Sequence, residues 1–249
     1  MKNRKEEKSG DKGFARIPER IFYPSQGFKN LSAKYLSISA KATIFAAKER
    51  IGGFQRFCYS DTRKNNTHYE WNSMEQFEDL IKQDLHHYLL TVGEVDEHLP
   101  DCPDVENLWE TIAKAYIPDG IREFQDYPTA SLGWMMYIGL AVAKLWDTDW
   151  QTYAALPDPY AHLRDKRGYD SMDEYVREEI LQLAGNESTR LEQIAGECAS
   201  RVHHTLLRRH IEPGTKEAFD AYVSCLHQLY LMGAAMQLHR MGYHMTKID

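Results

Sequence analysis

A chain of 249 residues with 43% hydrophobic and 27% charged residues has ordinary globular composition, with room for one large or two small domains. Its formal charge of −7 is uneven: residues 1–70 carry 15 Lys/Arg against 7 Asp/Glu, leaving 15 against 30 for residues 71–249. An acidic body repels phosphates, so nucleic acid is an unlikely partner except through residues 1–70.

Residues 1–30 mix charges with Gly10, Gly13, Pro18, Pro24 and Gly27 and show no periodicity, the composition of a largely irregular basic arm. No apolar core of a secretory signal follows the basic start. Helix-forming composition over 31–50 is stopped by Gly52-Gly53, and 54–72 reads as irregular again. Within this arm, Ala33-Lys34-Tyr35-Leu36-Ser37-Ile38-Ser39, Thr43-Ile44-Phe45 and Ile51-Gly52-Gly53-Phe54 faintly resemble the helix-turn-helix of small excisionase-like DNA binders. The threonine of that pattern comes three residues after the serine, whereas here it comes four after, which puts the turn out of register. The resemblance covers some 25 residues and implies DNA contact by the arm alone.

An acidic helical domain is expected over 73–249. Ser73-x-x-Gln76 has the form of a capping box, and Phe77, Leu80, Ile81, Leu85, Tyr88, Leu89 and Val92 continue it at helical spacing to about His98. A protein starting at Met74 would then lose no body helix. Asp104 caps a second helix that Pro118-Asp119-Gly120 closes, and Ile121–Tyr127 is one short segment. Ser131–Trp146 is apolar nearly all round, and its uncharged part ends at Ala143. That is well short of the roughly 20 residues a bilayer span needs, so it reads as the central helix of a soluble domain.

Asp147-Thr148-Asp149 breaks this helix, and Thr148-x-x-Gln151 caps a short successor; 157–170 reads as a loop. Ser171-x-x-Glu174 and Thr189-x-x-Glu192 cap two more helices, the first through Leu183 and the second running to Pro213-Gly214. The last helix spans about Thr215 to Met241. Capping boxes at the starts, Pro or Gly at the stops and no alternating β-branched runs predict an all-α protein. Its form would be a single antiparallel helical bundle of about six helices. Gly139 and Ala143 would allow the central helix to approach Gly233 and Ala234 of the last closely. Trp134, Tyr137, Ile138, Ala141 and Leu145 would form the seam. An offset of 93 residues aligns Tyr137 with Tyr230, Ala141 with Ala234 and Leu145 with Leu238, a pattern that composition alone can produce.

Chemistry-bearing residues are scattered. His87, Glu94 and His98 share one edge of the first body helix, as weak metal candidates against a solvated rim. His203 and His210 flank one helix near its end, where a positive charge suits the dipole. Asp147 and Asp149 sit between Trp146 and Trp150 as loop carboxylates or caps. Trp134, Tyr137 and Tyr230 belong to aromatic, Met-rich helices able to line a pocket or an interface. No G-x-S-x-G, phosphate loop, H-E-x-x-H or E-x-x-H occurs, and Cys58, Cys102, Cys198 and Cys225 lie far apart without a C-x-x-C pair. The cysteines indicate a reducing, cytoplasmic setting. No catalytic residue, cofactor or membrane contact is implied. The first expectation is a non-enzymatic module that binds a protein partner or itself. The second is a helical ligand-binding protein or enzyme with a His/Asp-lined pocket, and the third a DNA-binding regulator using the arm.

Overall fold

The computed structural model describes residues 64–243, of which 64–73 are described by backbone course alone; the helix expected over 31–50 and the helix-turn-helix resemblance lie outside them. Among the described residues the chain is all-helical, with eight α-helices rather than about six and no strand. They are α1 (Lys64–Thr91), α2 (Pro103–Asn107), α3 (Trp109–Phe124), α4 (Pro128–Ala154), α5 (Pro159–Arg167), α6 (Met172–Tyr175), α7 (Asn186–Arg208) and α8 (Lys216–Arg240). A π-helical turn, Val176–Ile180, continues α6.

Several expected boundaries move, each for a local physical reason. The helix passes straight through Ser73, because extending a helix upstream costs less than nucleating a new one. A protein starting at Met74 would therefore lose the first ten residues of α1. At the other end α1 stops at Thr91, not His98. Gly93 at φ +75° closes a Schellman motif in which Gly93 N–H donates to Leu90 O (3.1 Å) and Glu94 N–H to Leu89 O (2.9 Å). Pro118 lies inside α3 instead of ending it. Residues 159–167 form a helix and not a loop: Asp158 accepts from Ala161 N–H (2.8 Å) with Pro159 at the first helical position. Thr189 donates back to Gly185 O inside α7, which begins at Asn186. Ser171 precedes α6 but makes no side-chain cap. Thr215, expected only as the approximate start of the last helix, caps α8 and accepts from Ala218 N–H at 3.1 Å.

The core is centred on α4, whose residues 131–143 are buried except for half-buried Trp134. Its most extensive contact is with α8. A Cβ built on Gly139 would collide with the carbonyl oxygen of Tyr230 and lie 3.0 Å from Ala234 N. One built on Gly233 would collide with Met136 O and lie 3.2 Å from Leu140 N. The two backbones therefore touch. The relation is reciprocal in a register of 94 residues, one away from the offset of 93 read in the sequence. The seam runs through Met136, Gly139 and Leu140, on nearly the opposite side of the helix from the expected row, whose members Trp134 and Leu145 are only half-buried.

The central pair is parallel, not antiparallel. Ser131 meets Tyr222, Gly139 meets Tyr230, and Trp146 meets Tyr243, so both numbers rise together. Helix α1 also runs parallel to α8, with Glu78 beside Ser224 and Glu94 beside Arg240. Short links make chain neighbours antiparallel, but the closest spatial neighbours here are not neighbours along the chain.

Gly139→Ala should cost about 3 kcal/mol or more in urea unfolding, because the added methyl has no flexible side chain to displace. Gly196→Ala in α7, whose Cβ would meet nothing within 4 Å, should stabilise by up to about 1 kcal/mol through helix propensity alone. Similar effects of the two changes would refute the close crossing.

Candidate functional site

The residues singled out in the sequence do not converge. His87 and His98 are exposed while Glu94 is 5% exposed, and the helix expected to align all three ends before Glu94. Glu94 instead receives Arg190 on Oε1 (3.0 Å) and Arg240 on Oε2 (3.0 Å), an ion-pair clamp on the turn after α1. Among the described residues no group of three or more His, Cys, Asp or Glu side chains is placed to hold a metal ion. Asp149 breaks α4 (φ −160°, ψ 76°) and caps its last turn, accepting from Thr152 N–H and its hydroxyl. Asp147 accepts from Tyr243 OH. His203 packs edge-on to Phe124 (6.1 Å), and His210 is exposed at φ +51° beyond α7. Trp134 donates to Tyr169 O (3.0 Å), Tyr137 is core, and none of these lines the apolar cavity of about 10 Å³ between Leu108, Val142, Trp150 and His162. That space suits one water at most.

Tyr230 is the exception, because it leads to a place that the sequence did not mark. It is 0% exposed, and its hydroxyl donates to Val105 O (2.6 Å). Above it Trp109, the first residue of α3, tilts against its ring at 5.6 Å and stacks on His227 at 4.6 Å and 27°. One turn back on α8, Ser224 donates to Glu78 of α1 (2.7 Å). These contacts mark out a strip of α8, the trough, with α1 on one side and the α2–α3 junction on the other. His227 lies in it with Trp109 on its face and Glu78, Glu106 and Lys82 as its charged neighbours.

His227 Nε2 is buried and has no hydrogen-bond partner, and neither has Oε1 of Gln228, the next residue, itself 6% exposed. A buried polar group left unmatched costs about 1–3 kcal/mol. Burial lowers the His227 pKa below its ordinary 6.5; Glu78 and Glu106 pull it partly back, and Lys82 pushes it down. The ring is thus held neutral between two carboxylates.

Other polar clusters among the described residues are internally matched. Ser131 donates to Gly120 O (2.8 Å) and accepts from Tyr222 OH (2.7 Å), and Tyr116 OH donates to Ser131 O. Tyr160 and Arg164 both donate to Asp119. Burial raises the pKa of Tyr116, Tyr160, Tyr169 and Tyr222, which keeps these phenols protonated as donors. Two further unmatched atoms, Arg177 Nε and Arg201 Nε, belong to guanidiniums already paired with Asp173 and Asp84. Arg201 Nε also lies 2.9 Å from Glu197, close enough for an ion pair though out of line for a hydrogen bond. His227 has no such pairing.

A signal for the trough did exist in the sequence. Ser224, His227, Gln228 and Leu231, spaced i, i+3, i+4 and i+7, put three polar residues on one side of a helix otherwise apolar nearly all round. Comparison with protein-family models, with curated proteins and with solved structures finds no match to this chain. No described helix is long and apolar enough to cross a membrane.

Protonating His227 favours the unfolded state, where its pKa is ordinary. Its contribution is therefore complete above about pH 6.5 and is lost as pH falls toward the depressed native value. Urea unfolding at pH 7.5 and 5.0 should show the stability of wild type relative to His227→Phe falling at the lower pH. A constant difference would mean that the imidazole is not held neutral.

Proposed function

We propose that this chain is a non-enzymatic helical bundle that acts as a protein-interaction module, and that its binding face is the trough around Trp109 and His227. The observation that carries this reading is the unmatched, neutral imidazole stacked on a half-buried tryptophan and bordered by Glu78 and Glu106. Trp109 offers a large amphipathic surface of the kind that dominates binding energy at interfaces. The carboxylates favour cationic neighbours, and the groove between helices suits an amphipathic helix with a basic border. The aromatic and Met-rich faces of α4 and α8 are consumed by the core, so the interaction is assigned to the outer helices instead.

Direct titration tests this. A fluorescently labelled 20-residue peptide with lysine at every seventh position and an apolar stripe beside it should bind the full chain, and more weakly at high salt. A lysine-to-glutamate version should not bind. Trp109→Ala should weaken binding about 30-fold, the equivalent of about 2 kcal/mol for a central anchor. Equal binding of the two peptides, or no effect of Trp109→Ala with helicity intact, would remove the reading.

A further inference from the structure

We propose that the trough is occupied in cis by the segment Leu31–Arg50 of the chain's own basic arm, so that an external partner must displace it. The proposal rests on the trough being a binding face and adds the identity of its resident ligand. Lys34, Lys41 and Lys48 recur at every seventh residue. Leu31, Tyr35, Ile38, Ala42 and Phe45 follow at i, i+4, i+7, i+11 and i+14. On a helix these spacings give one apolar stripe with a lysine border, the pattern of a peptide that lies in a helical groove.

Charge matches across the two surfaces. The segment carries Lys34, Lys41, Lys48 and Arg50 against Glu49 alone. Facing it, Glu78 and Glu106 border His227, and Glu110 is exposed on the first turn of α3. Among the described residues none of the three has an ion pair, and Lys82 is the cation acting on His227. Lysines arriving at this rim would relieve carboxylate repulsion, and an apolar stripe would cover Trp109.

Covalent attachment makes the contact accessible. Glu78 lies fourteen residues into α1, about 21 Å from its first residue at 1.5 Å per residue. An extended chain advances about 3.3 Å per residue, so roughly seven residues span that distance. Residues 51–63, which join the segment to α1, are thirteen and include Gly52-Gly53. A tether of that length holds the segment at an effective concentration of order millimolar, whatever the protein concentration.

Zero-length carbodiimide cross-linking of the full chain, read by mass spectrometry, tests the contact. The lysine-bordered probe peptide tests its consequence. Lys34, Lys41 and Lys48 should couple to Glu78, Glu106 or Glu110 within single chains at low salt, and this should fade at 0.5 M salt through screening, about 10 Å at 0.1 M and shorter above it. The triple variant Lys34→Glu/Lys41→Glu/Lys48→Glu should bind the probe peptide at least tenfold more tightly than wild type. If the variant and wild type bind the peptide equally and no arm-to-trough links form, the cis contact is wrong while the binding face stands. If neither binds the peptide, both fail. Links found only between isotopically mixed chains would overturn the proposal in favour of a second copy as occupant.

Discussion

The fold depends on one backbone contact, the crossing of α4 and α8 at Gly139 and Gly233. Each glycine sits against a peptide carbonyl of the other helix, so no side chain separates the two axes there. Small residues allow this approach, and the closer the axes, the more the flanking Met136, Leu140, Tyr230 and Ala234 touch one another. With the pair fixed in a parallel register, its two ends are set as well. Ser131 reaches Tyr222 at one end, and Trp146 meets Tyr243 at the other. The remaining helices wrap a core whose centre is already decided.

The trough follows from that commitment. One side of α8 is spent on α4, and α1 lies along another, tied by Ser224 to Glu78 and by Arg240 to the Glu94 clamp. Between α1 and the start of α3 a strip of α8 remains, and there the helix carries Ser224, His227 and Gln228 rather than apolar residues. Trp109 covers the imidazole without offering it a hydrogen bond. The tyrosine cluster at the end of α3 shows the opposite arrangement, because each buried hydroxyl there has a partner. Satisfied networks rigidify a core, whereas an unmatched buried polar atom leaves its desolvation cost uncompensated.

Local patterns were readable only where nothing outside them intervened. The last helix begins where the sequence placed it, with Thr215 as its cap, since Pro213-Gly214 prevents any helix from arriving upstream. Ser73 and Thr189 carry similar signatures but lie inside helices, because the preceding residues are helical too and a capping side chain has no free N–H to satisfy. Pro118 ends no helix: the packing of Tyr116, Ile117 and Gly120 around it holds α3 together across the missing hydrogen bond.

The sequence by itself determined the helical class, the burial of residues 131–143 and the pairing of the central helix with the last, because apolar periodicity and small residues act through the chain's own geometry. The direction of that pairing, the eight-helix division and the gathering of Trp109, His227, Glu78 and Glu106 were decided only by tertiary structure. These four side chains come from four helices, and only Glu106 and Trp109 are close along the chain. What brings them together is the register of α4 against α8, which is fixed by atoms more than ninety residues apart.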